Sequence, residues 1–190
     1  MISQLLKKTR TYRRFDRSKP LTGADLTKIL ESVRYTASAG NLQRVRYITL
    51  TGAAADEAFS AIALGGYLPK EQKPDAEVAP VAYIVMLAPT DSPDTNLAID
   101  IGICAEAIAL AAAEVGVGSC MIRNFGREYF DKLATGTGYY TALVIALGYP
   151  AEQTKIVDAD PKDSLKYYKD GNTNIVPKLM LDDLILQNIK

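Results

Sequence analysis

The sequence predicts a single α+β domain of mixed helices and strands, and three observations lead to that class. The chain has 190 residues, an ordinary length for one domain that buries a full core. Apolar residues make up 48% of it, as in globular proteins generally. Segments with helical spacing of apolar residues alternate with short β-rich runs, and no repeat, linker or low-complexity tract divides the chain.

Capping signals and apolar spacing predict the elements of the N-terminal half. A first helix covers the residues before Arg10, and a second begins at Thr22, has Asp25 in the reciprocal capping position and runs to about Tyr35. The apolar face of the second helix comprises Leu26, Ile29, Leu30 and Val33. A strand at 44–51, a helix at 53–64, a surface loop at 67–80 and a buried strand at 81–88 follow. Loops as long as 67–80 often act as lids.

The C-terminal half is predicted to centre on a long apolar helix. A turn at 91–95 caps this helix, which begins near Asn96 and ends at the glycines of 116–118. It is apolar on nearly every side, so we expect it to be covered all round. Its three carboxylates argue against a membrane span. A strand at 119–122, a helix at 128–134 and a strand at 141–147 follow. The remaining segment, 151–190, has no long periodic run before 179–189, and we expect it to pack on a second subunit.

Composition excludes several classes of function. The chain contains no histidine, which excludes Ser-His-Asp and Cys-His catalysis and histidine-metal sites. Its 22 basic and 22 acidic residues give no field that attracts nucleic acid or an anionic membrane. Cys104 and Cys120 are too few for a disulfide scaffold, so we expect both to be reduced. Residues 1–8 are too short and too soon charged for a signal peptide, which favours a cytoplasmic protein.

Two polar clusters indicate a bound phosphate and a bound polar ring. Arg10 and Arg13, with Thr11 between them, offer the guanidinium forks and the hydroxyl that suit a phosphate. Asn41 and Gln43 offer neutral amides, which both donate and accept hydrogen bonds and therefore suit a flat heterocycle. The alternatives are a solvated basic patch for the first cluster and ordinary turn chemistry for the second.

Other motifs are less specific. The Gly-x-Gly pairs at 116–118 and 136–138 lack the preceding strand and third glycine of a dinucleotide loop, and no Gly-Lys-Ser/Thr occurs. The carboxylates at 158, 160, 182 and 183 lie in polar stretches typical of solvated faces. The run at 166–169 places lysines beside tyrosine rings, and the alternative is an amphipathic surface strand.

In their order along the chain, these motifs resemble the FMN-dependent nitroreductases. The matching segments are RTYRRF at 10–15, ASAGNLQR at 37–44, the apolar helix with GVGSC at 116–120, ALGYP at 146–150 and VPK at 176–178. The resemblance implies a largely antiparallel sheet flanked by helices, an intertwined homodimer and one 1–190 FMN-binding domain whose segment 151–190 packs on the partner subunit. It also implies NAD(P)H as the reductant, with ping-pong hydride transfer to a nitroaromatic, quinone or similar acceptor.

Carried over to this chain, the resemblance assigns roles to eleven residues. Arg10, Thr11 and Arg13 hold the FMN phosphate and ribityl chain, and Lys166 or Lys169 adds a cation to the phosphate site. Asn41 bonds the pyrimidine edge of the isoalloxazine, with Gln43 close to it. Met121, Ile122, Arg123 and Asn124 pass near the flavin N5 and contribute backbone groups. Arg14 is expected to have a surface or salt-bridge role.

The chain departs from the family pattern at four positions. Ala37 and Arg44 replace prolines, Thr11 replaces a serine, and Arg123 stands where some members carry an acidic residue. A positive charge at position 123 favours a reduced, anionic flavin or an acidic substrate. The loop at 67–80 is expected to control the choice of acceptor. A non-catalytic flavin-binding or regulatory protein, and a dehalogenase or oxidase on the same fold, are the alternatives.

Overall fold

The computed structural model describes residues 1–91 and 94–189 and confirms the α+β class. The helices are α1 (Ile2–Lys8), α2 (Gly23–Glu31), α3 (Ala53–Phe59), α4 (Thr95–Glu114), α5 (Arg127–Leu133) and α6 (Leu181–Leu184). The strands are β1 (Arg46–Thr51), β2 (Ala82–Pro89), β3 (Gly118–Ile122), β4 (Tyr139–Gly148), β5 (Gln153–Ala159), β6 (Tyr168–Asp170) and β7 (Thr173–Leu179).

The main sheet is antiparallel throughout and has the strand order β1-β2-β4-β3. Its two central strands, β2 and β4, are buried along most of their length, as their continuous apolar sequences predict. The edge strands β1 and β3 are separated by both central strands. Elements attached to β1 and to β3 therefore lie on opposite sides of the domain.

Helices cover both faces of this sheet, and the alternation along β2 shows the two layers. Ile84 and Met86 belong to the core beneath α2 and α4, while Tyr83 and Val85 belong to the core beneath α3 and α5. Because successive strand residues point to opposite faces, one apolar strand supplies both cores.

Helix α2 begins as its sequence predicts. Thr22 and Asp25 form the reciprocal capping box, and Leu26 and Ile29 are buried beneath the helix. Residues after Glu31 continue as one 3₁₀ turn to Tyr35, so the predicted helical segment is present but tightens at its end.

Helix α4 corrects one expectation, because the chain alone does not cover it all round. Leu97, Ile108 and Ala112 face the core. On the other side Ile99 is 55% exposed and Ile103 39% exposed. Among the described residues, α4 is also the one helix long and apolar enough to cross a membrane by length and composition, yet it packs here on the sheet and buries Asp100. The predicted turn at 91–95 includes residues 92 and 93, which lie outside the described residues.

Residues 153–179 form a second, three-stranded sheet that the sequence analysis did not predict. Its order is β5-β7-β6, with β5 parallel and β6 antiparallel to β7. The strands are short and half exposed, so their apolar pattern is weak. One signal was present: Gly171-Asn172 is a hairpin dipeptide, and it forms the two-residue turn between β6 and β7 with a φ of +56° at Gly171. The apolar residues beyond Leu179 are exposed.

Candidate functional site

The arginine segment runs extended along the free edge of β3. Thr11 forms a parallel bridge with Ser119, and the Tyr12 N–H donates to the Ser119 carbonyl at 3.0 Å. A glycine makes this close approach possible, since a Cβ on Gly118 would lie 2.7 Å from the Tyr12 ring. The sequence therefore docks the segment as an additional edge strand and does not continue α1.

An extended path separates the two arginines that the sequence analysis placed together. Side chains alternate between faces along extended backbone, so positions 10 and 13 point to opposite faces. Arg10 lines one cavity of about 440 Å³, here called the Arg10 cavity, and its Nη2 donates to the Leu6 carbonyl at 2.7 Å. Arg13 lines a different cavity on the other face. Thr11 is exposed between them.

A buried ion pair fixes the backbone at Arg13. Glu152 Oε1 accepts the Arg13 backbone N–H at 2.6 Å, and Glu152 Oε2 lies 3.3 Å from the Lys169 Nζ. The side chains of Glu152 and Lys169 are 1% and 8% exposed. The Arg13 guanidinium lies 4.0 Å from the ring centroid of Tyr167. Lys169 is thus engaged with Glu152, and Glu152 and Tyr167 emerge as supporting residues that sequence reasoning did not assign.

The cavity that contains Arg13, here called the β3 cavity, is the best candidate for a cofactor site. It measures about 360 Å³, within the range of small-molecule sites. Its lining comprises Arg13, Ala63, Leu64, Gly65, Gly66, Lys73, Cys120, Met121, Ile122, Arg123, Asn124 and Tyr167. It unites Arg13 with all four residues of the 121–124 segment, has three cations and contains no carboxylate. No group of acidic, cysteine or histidine residues that could hold a metal occurs within 1–91 and 94–189.

Backbone bonds to residues just after α3 hold the 121–124 segment in place. The Ala63 N–H donates to the Asn124 carbonyl at 3.1 Å, and the Gly126 N–H donates to the Ala61 carbonyl at 2.6 Å. Arg123 therefore stands exposed at the mouth of the cavity. Deeper in the wall, burial raises the pKa of the Cys120 thiol to about 11, so this thiol is neutral and chemically quiet near neutral pH.

The amide segment has an unusual backbone. Asn41 and Gln43 are the two non-glycine residues with positive φ among those the structure describes, at +55° and +49°. The Gln43 Nε2 donates to Asn41 Oδ1 at 3.1 Å. Asp100 on α4 accepts the Ala39 N–H at 2.9 Å through Oδ1, while its buried Oδ2 has no hydrogen-bond partner. Left-handed geometry at residues other than glycine often marks a functional site.

The amide segment lies beside a third cavity, here called the β1 cavity, at the opposite edge of the sheet. Gln43, Tyr47, Asp100 and Cys104 line this space of about 360 Å³. Burial is the main cause that raises the pKa of Tyr47, so its hydroxyl stays protonated. Edge strands β1 and β3 are three strand spacings apart, or about 14 Å. One protomer therefore does not bring Asn41 and Gln43 together with the 121–124 segment.

The 67–80 loop packs against the second sheet. The Tyr67 N–H donates to the Tyr167 hydroxyl at 3.2 Å, and the two rings lie 5.3 Å apart. The Lys166 Nζ lies 5.5 Å from the Tyr67 ring centroid, which places Lys166 over this loop. Arg14 also contacts this loop but does not line the β3 cavity, since its Nη2 donates to the Gln72 carbonyl at 3.1 Å. The loop contributes Lys73 to the β3 cavity, a cation that the sequence analysis did not single out.

Comparison with known structures agrees with this architecture. An FMN-dependent nitroreductase from Clostridium difficile R20291 is 25% identical, with a TM-score of 0.63 over 80% of this chain and 89% of that chain. A nitroreductase family protein from Streptococcus pneumoniae TIGR4 is 16% identical, with a TM-score of 0.71 over 99% of this chain and 100% of that chain. The FMN-dependent nitroreductase NfnB from Mycobacterium smegmatis, solved in complex with NADPH, is 16% identical, with a TM-score of 0.64 over 79% of this chain and 87% of that chain.

Comparison with sequences adds the family. A search of curated protein sequences gave no match. The sequence model described as "Nitroreductase family" matches residues 6–149, which is more than half of the chain and includes the arginine segment, the amide segment and the 121–124 segment. Together with the helix-flanked antiparallel sheet, this match shows that the chain belongs to the nitroreductase family.

Proposed function

We propose that this protein is an FMN-dependent oxidoreductase that transfers a hydride from NAD(P)H to a nitroaromatic, quinone or similar acceptor. The observation that carries the proposal is the β3 cavity, which brings Arg13 together with residues 121–124. The family resemblance assigns both to the cofactor. Membership of the nitroreductase family and the FMN-dependent neighbours give the same cofactor class.

The residues of the β3 cavity fit a flavin mononucleotide. Arg13 offers a guanidinium to the anionic end of the cofactor, and the absence of carboxylates from the described lining leaves no repulsion against it. Leu64 and Met121 supply apolar wall for the ring. Gly65, at a φ of +74°, lets the backbone turn beside the cavity without a side chain.

We further propose a homodimer in which each flavin site is shared. Asn41 and Gln43 are proposed to contact the same fused ring as residues 121–124, but they lie on the opposite edge of the sheet. A second copy removes this conflict, because its amide segment can approach the first copy's β3 cavity. The apolar face of α4 and the exposed residues of 180–189 supply surface for such a dimer.

A mixed dimer tests the shared site. Arg13→Ala in one protomer and Asn41→Ala in the other leave one of the two sites with both native residues and the other with neither. Co-expressed, separately tagged protomers should therefore bind about half the flavin of the native dimer, while each homodimeric variant binds weakly. If the mixed dimer binds no better than either variant alone, the shared site is refuted.

The chain's own residues are proposed to bind and orient, while the flavin supplies the hydride chemistry. In the overall reaction NAD(P)H gives up a hydride, and the acceptor gains two electrons and two protons, one of them from water. Backbone groups of 121–124 are proposed to orient the ring, and Thr11 and Lys166 are proposed to join Arg13 at the phosphate end. Arg10 faces a different cavity and Lys169 is paired with Glu152, so neither is proposed for that phosphate. The 67–80 loop is proposed to set which acceptor enters. A chain without histidine suits a reaction in which no side chain has to relay a proton.

Steady-state kinetics test the proposal. The FMN-loaded protein should oxidise NADH or NADPH only when an acceptor is present, and double-reciprocal plots at several acceptor concentrations should be parallel. Intersecting lines would refute ping-pong transfer, in which NAD(P)H and the acceptor occupy the same site in turn. A protein that retains FMN but consumes no reduced nicotinamide would instead be a flavin-binding or regulatory protein. A cytoplasmic location stays a prediction, which fractionation of cells checks.

A further inference from the structure

The charges around the β3 cavity indicate the class of acceptor, an inference that rests on the proposed function. Arg13, Lys73 and Arg123 line the cavity, and no carboxylate does so among the described residues. The whole chain balances 22 basic against 22 acidic residues. The positive lining is therefore a local feature and does not follow from an overall excess of charge.

The two largest other clusters of arginine and lysine do not share this feature. The β1 cavity contains Glu31 and Asp100 beside its arginines, and the Arg10 cavity contains Glu114. Behind the wall of the β3 cavity, the carboxylate of Glu152 is already neutralised by its buried ion pair with Lys169. An anion that enters the β3 cavity thus meets positive charge from the lining without an opposing carboxylate there.

The three cations divide into one inner group and two groups at the mouth. Arg13 is half-buried, stacks on Tyr167 and is the residue proposed for the cofactor. Lys73 and Arg123 are exposed, and neither forms an ion pair within the described parts of the chain. Lys73 comes from the 67–80 loop and Arg123 from the turn after β3, so two separate elements present positive charge to an incoming molecule.

We propose that the preferred acceptor is a planar aromatic molecule that carries a carboxylate or sulfonate. Its anionic group would face Lys73 and Arg123 at the mouth of the cavity, outside the apolar wall of Leu64 and Met121 that is proposed for the flavin ring. Fixed positive charge at the mouth of a cleft raises the local concentration and the association rate of an anion. The anionic group serves only for recognition, and the group that is reduced lies elsewhere on the ring.

A matched pair of acceptors tests the proposal in the FMN-loaded protein. 4-Nitrobenzoate and 4-nitrobenzamide differ in charge but little in shape. The readout is the kcat/KM for 4-nitrobenzoate divided by the kcat/KM for 4-nitrobenzamide, with NADPH as reductant. The ratio should exceed one, although the amide is the more electron-withdrawing group, and it should fall as salt is added. Lys73→Gln and Arg123→Gln should each lower the ratio by about threefold to tenfold, the effect of one partly screened charge on another.

Lys162→Gln is the control, because Lys162 is exposed and lies outside the β3 cavity, and its substitution removes the same positive charge. A ratio near one in the native protein, or an equal fall in the control, would overturn the proposal. So would variants that change only the kcat/KM of NADPH relative to NADH, since the cations would then serve the dinucleotide. Equal turnover of both acceptors leaves the proposed function intact, whereas a protein that binds no flavin refutes both.

Discussion

Replacing Arg13 with alanine should loosen FMN without unfolding the domain. The segment is fixed by its backbone, since the Arg13 N–H donates to Glu152 at 2.6 Å and the Tyr12 N–H donates to Ser119. Both bonds survive the substitution. Within the described chain the lost guanidinium stacks on the Tyr167 ring at 4.0 Å and forms no side-chain hydrogen bond or ion pair, and such a stacking contact is worth about 0.5–2 kcal/mol.

The expected loss of affinity exceeds the expected loss of stability. A hydrogen bond to a charged group contributes about 1.5–3 kcal/mol, so the Kd for FMN should rise roughly tenfold to a hundredfold. Quenching of FMN fluorescence on binding measures the Kd, and thermal unfolding of the flavin-free protein measures stability. Arg14→Ala is the matched control, because Arg14 points to Gln72 outside the β3 cavity.

Two results would refute this reasoning. An Arg13→Ala protein whose Kd for FMN stays within twofold of the native value would show that Arg13 does not hold the cofactor. An Arg14→Ala protein that loses as much affinity would show that the effect comes from general surface charge and not from the geometry of the β3 cavity.

Three further predictions follow from the packing around these segments. Glu152→Gln leaves the buried Lys169 ammonium unpaired and should cost about 3–5 kcal/mol, seen as a fall in Tm of roughly 6–20 °C; an unchanged Tm contradicts it. Asp100→Ala removes the acceptor of the Ala39 N–H, so it should lower the free energy of unfolding in urea by about 1–3 kcal/mol and weaken FMN binding. Asp100→Asn should restore both the stability and the affinity for FMN. Because burial raises the pKa of Cys120 to about 11, its thiolate fraction is negligible at pH 8, and iodoacetamide should label it only after unfolding or as the pH approaches 11; rapid labelling of the native protein at pH 8 would contradict the burial.

Most of the main domain could be predicted from sequence because its signals are local and strong. Thr22 and Asp25 determine where α2 begins, and the uninterrupted apolar run of β2 identifies a strand buried on both faces. The second sheet was missed because its strands are short and half exposed. Short, half-exposed strands leave little periodicity to detect, and Gly171-Asn172 alone gave a usable signal.

The candidate site was predictable by residue type but not by arrangement. Arginine chemistry singled out Arg10 and Arg13, yet their separation depends on whether the segment is helical or extended, and that is decided by Gly118 and the free edge of β3. Lys73 escaped notice because nothing in a charged loop marks the one lysine that reaches a cavity. The left-handed backbone at Gln43 likewise depends on tertiary contacts, since glutamine carries no intrinsic preference for it.

The central claim, that this chain binds FMN and passes electrons from a reduced nicotinamide to an acceptor, is tested most directly by the visible absorbance of the purified protein. The protein, as isolated or after FMN is added and the excess removed, should be yellow. It should bleach when NADH or NADPH is added without oxygen and regain its colour when a nitroaromatic or quinone follows. A colourless protein that takes up no FMN would contradict the claim, and a yellow protein that neither nicotinamide bleaches would contradict its catalytic part.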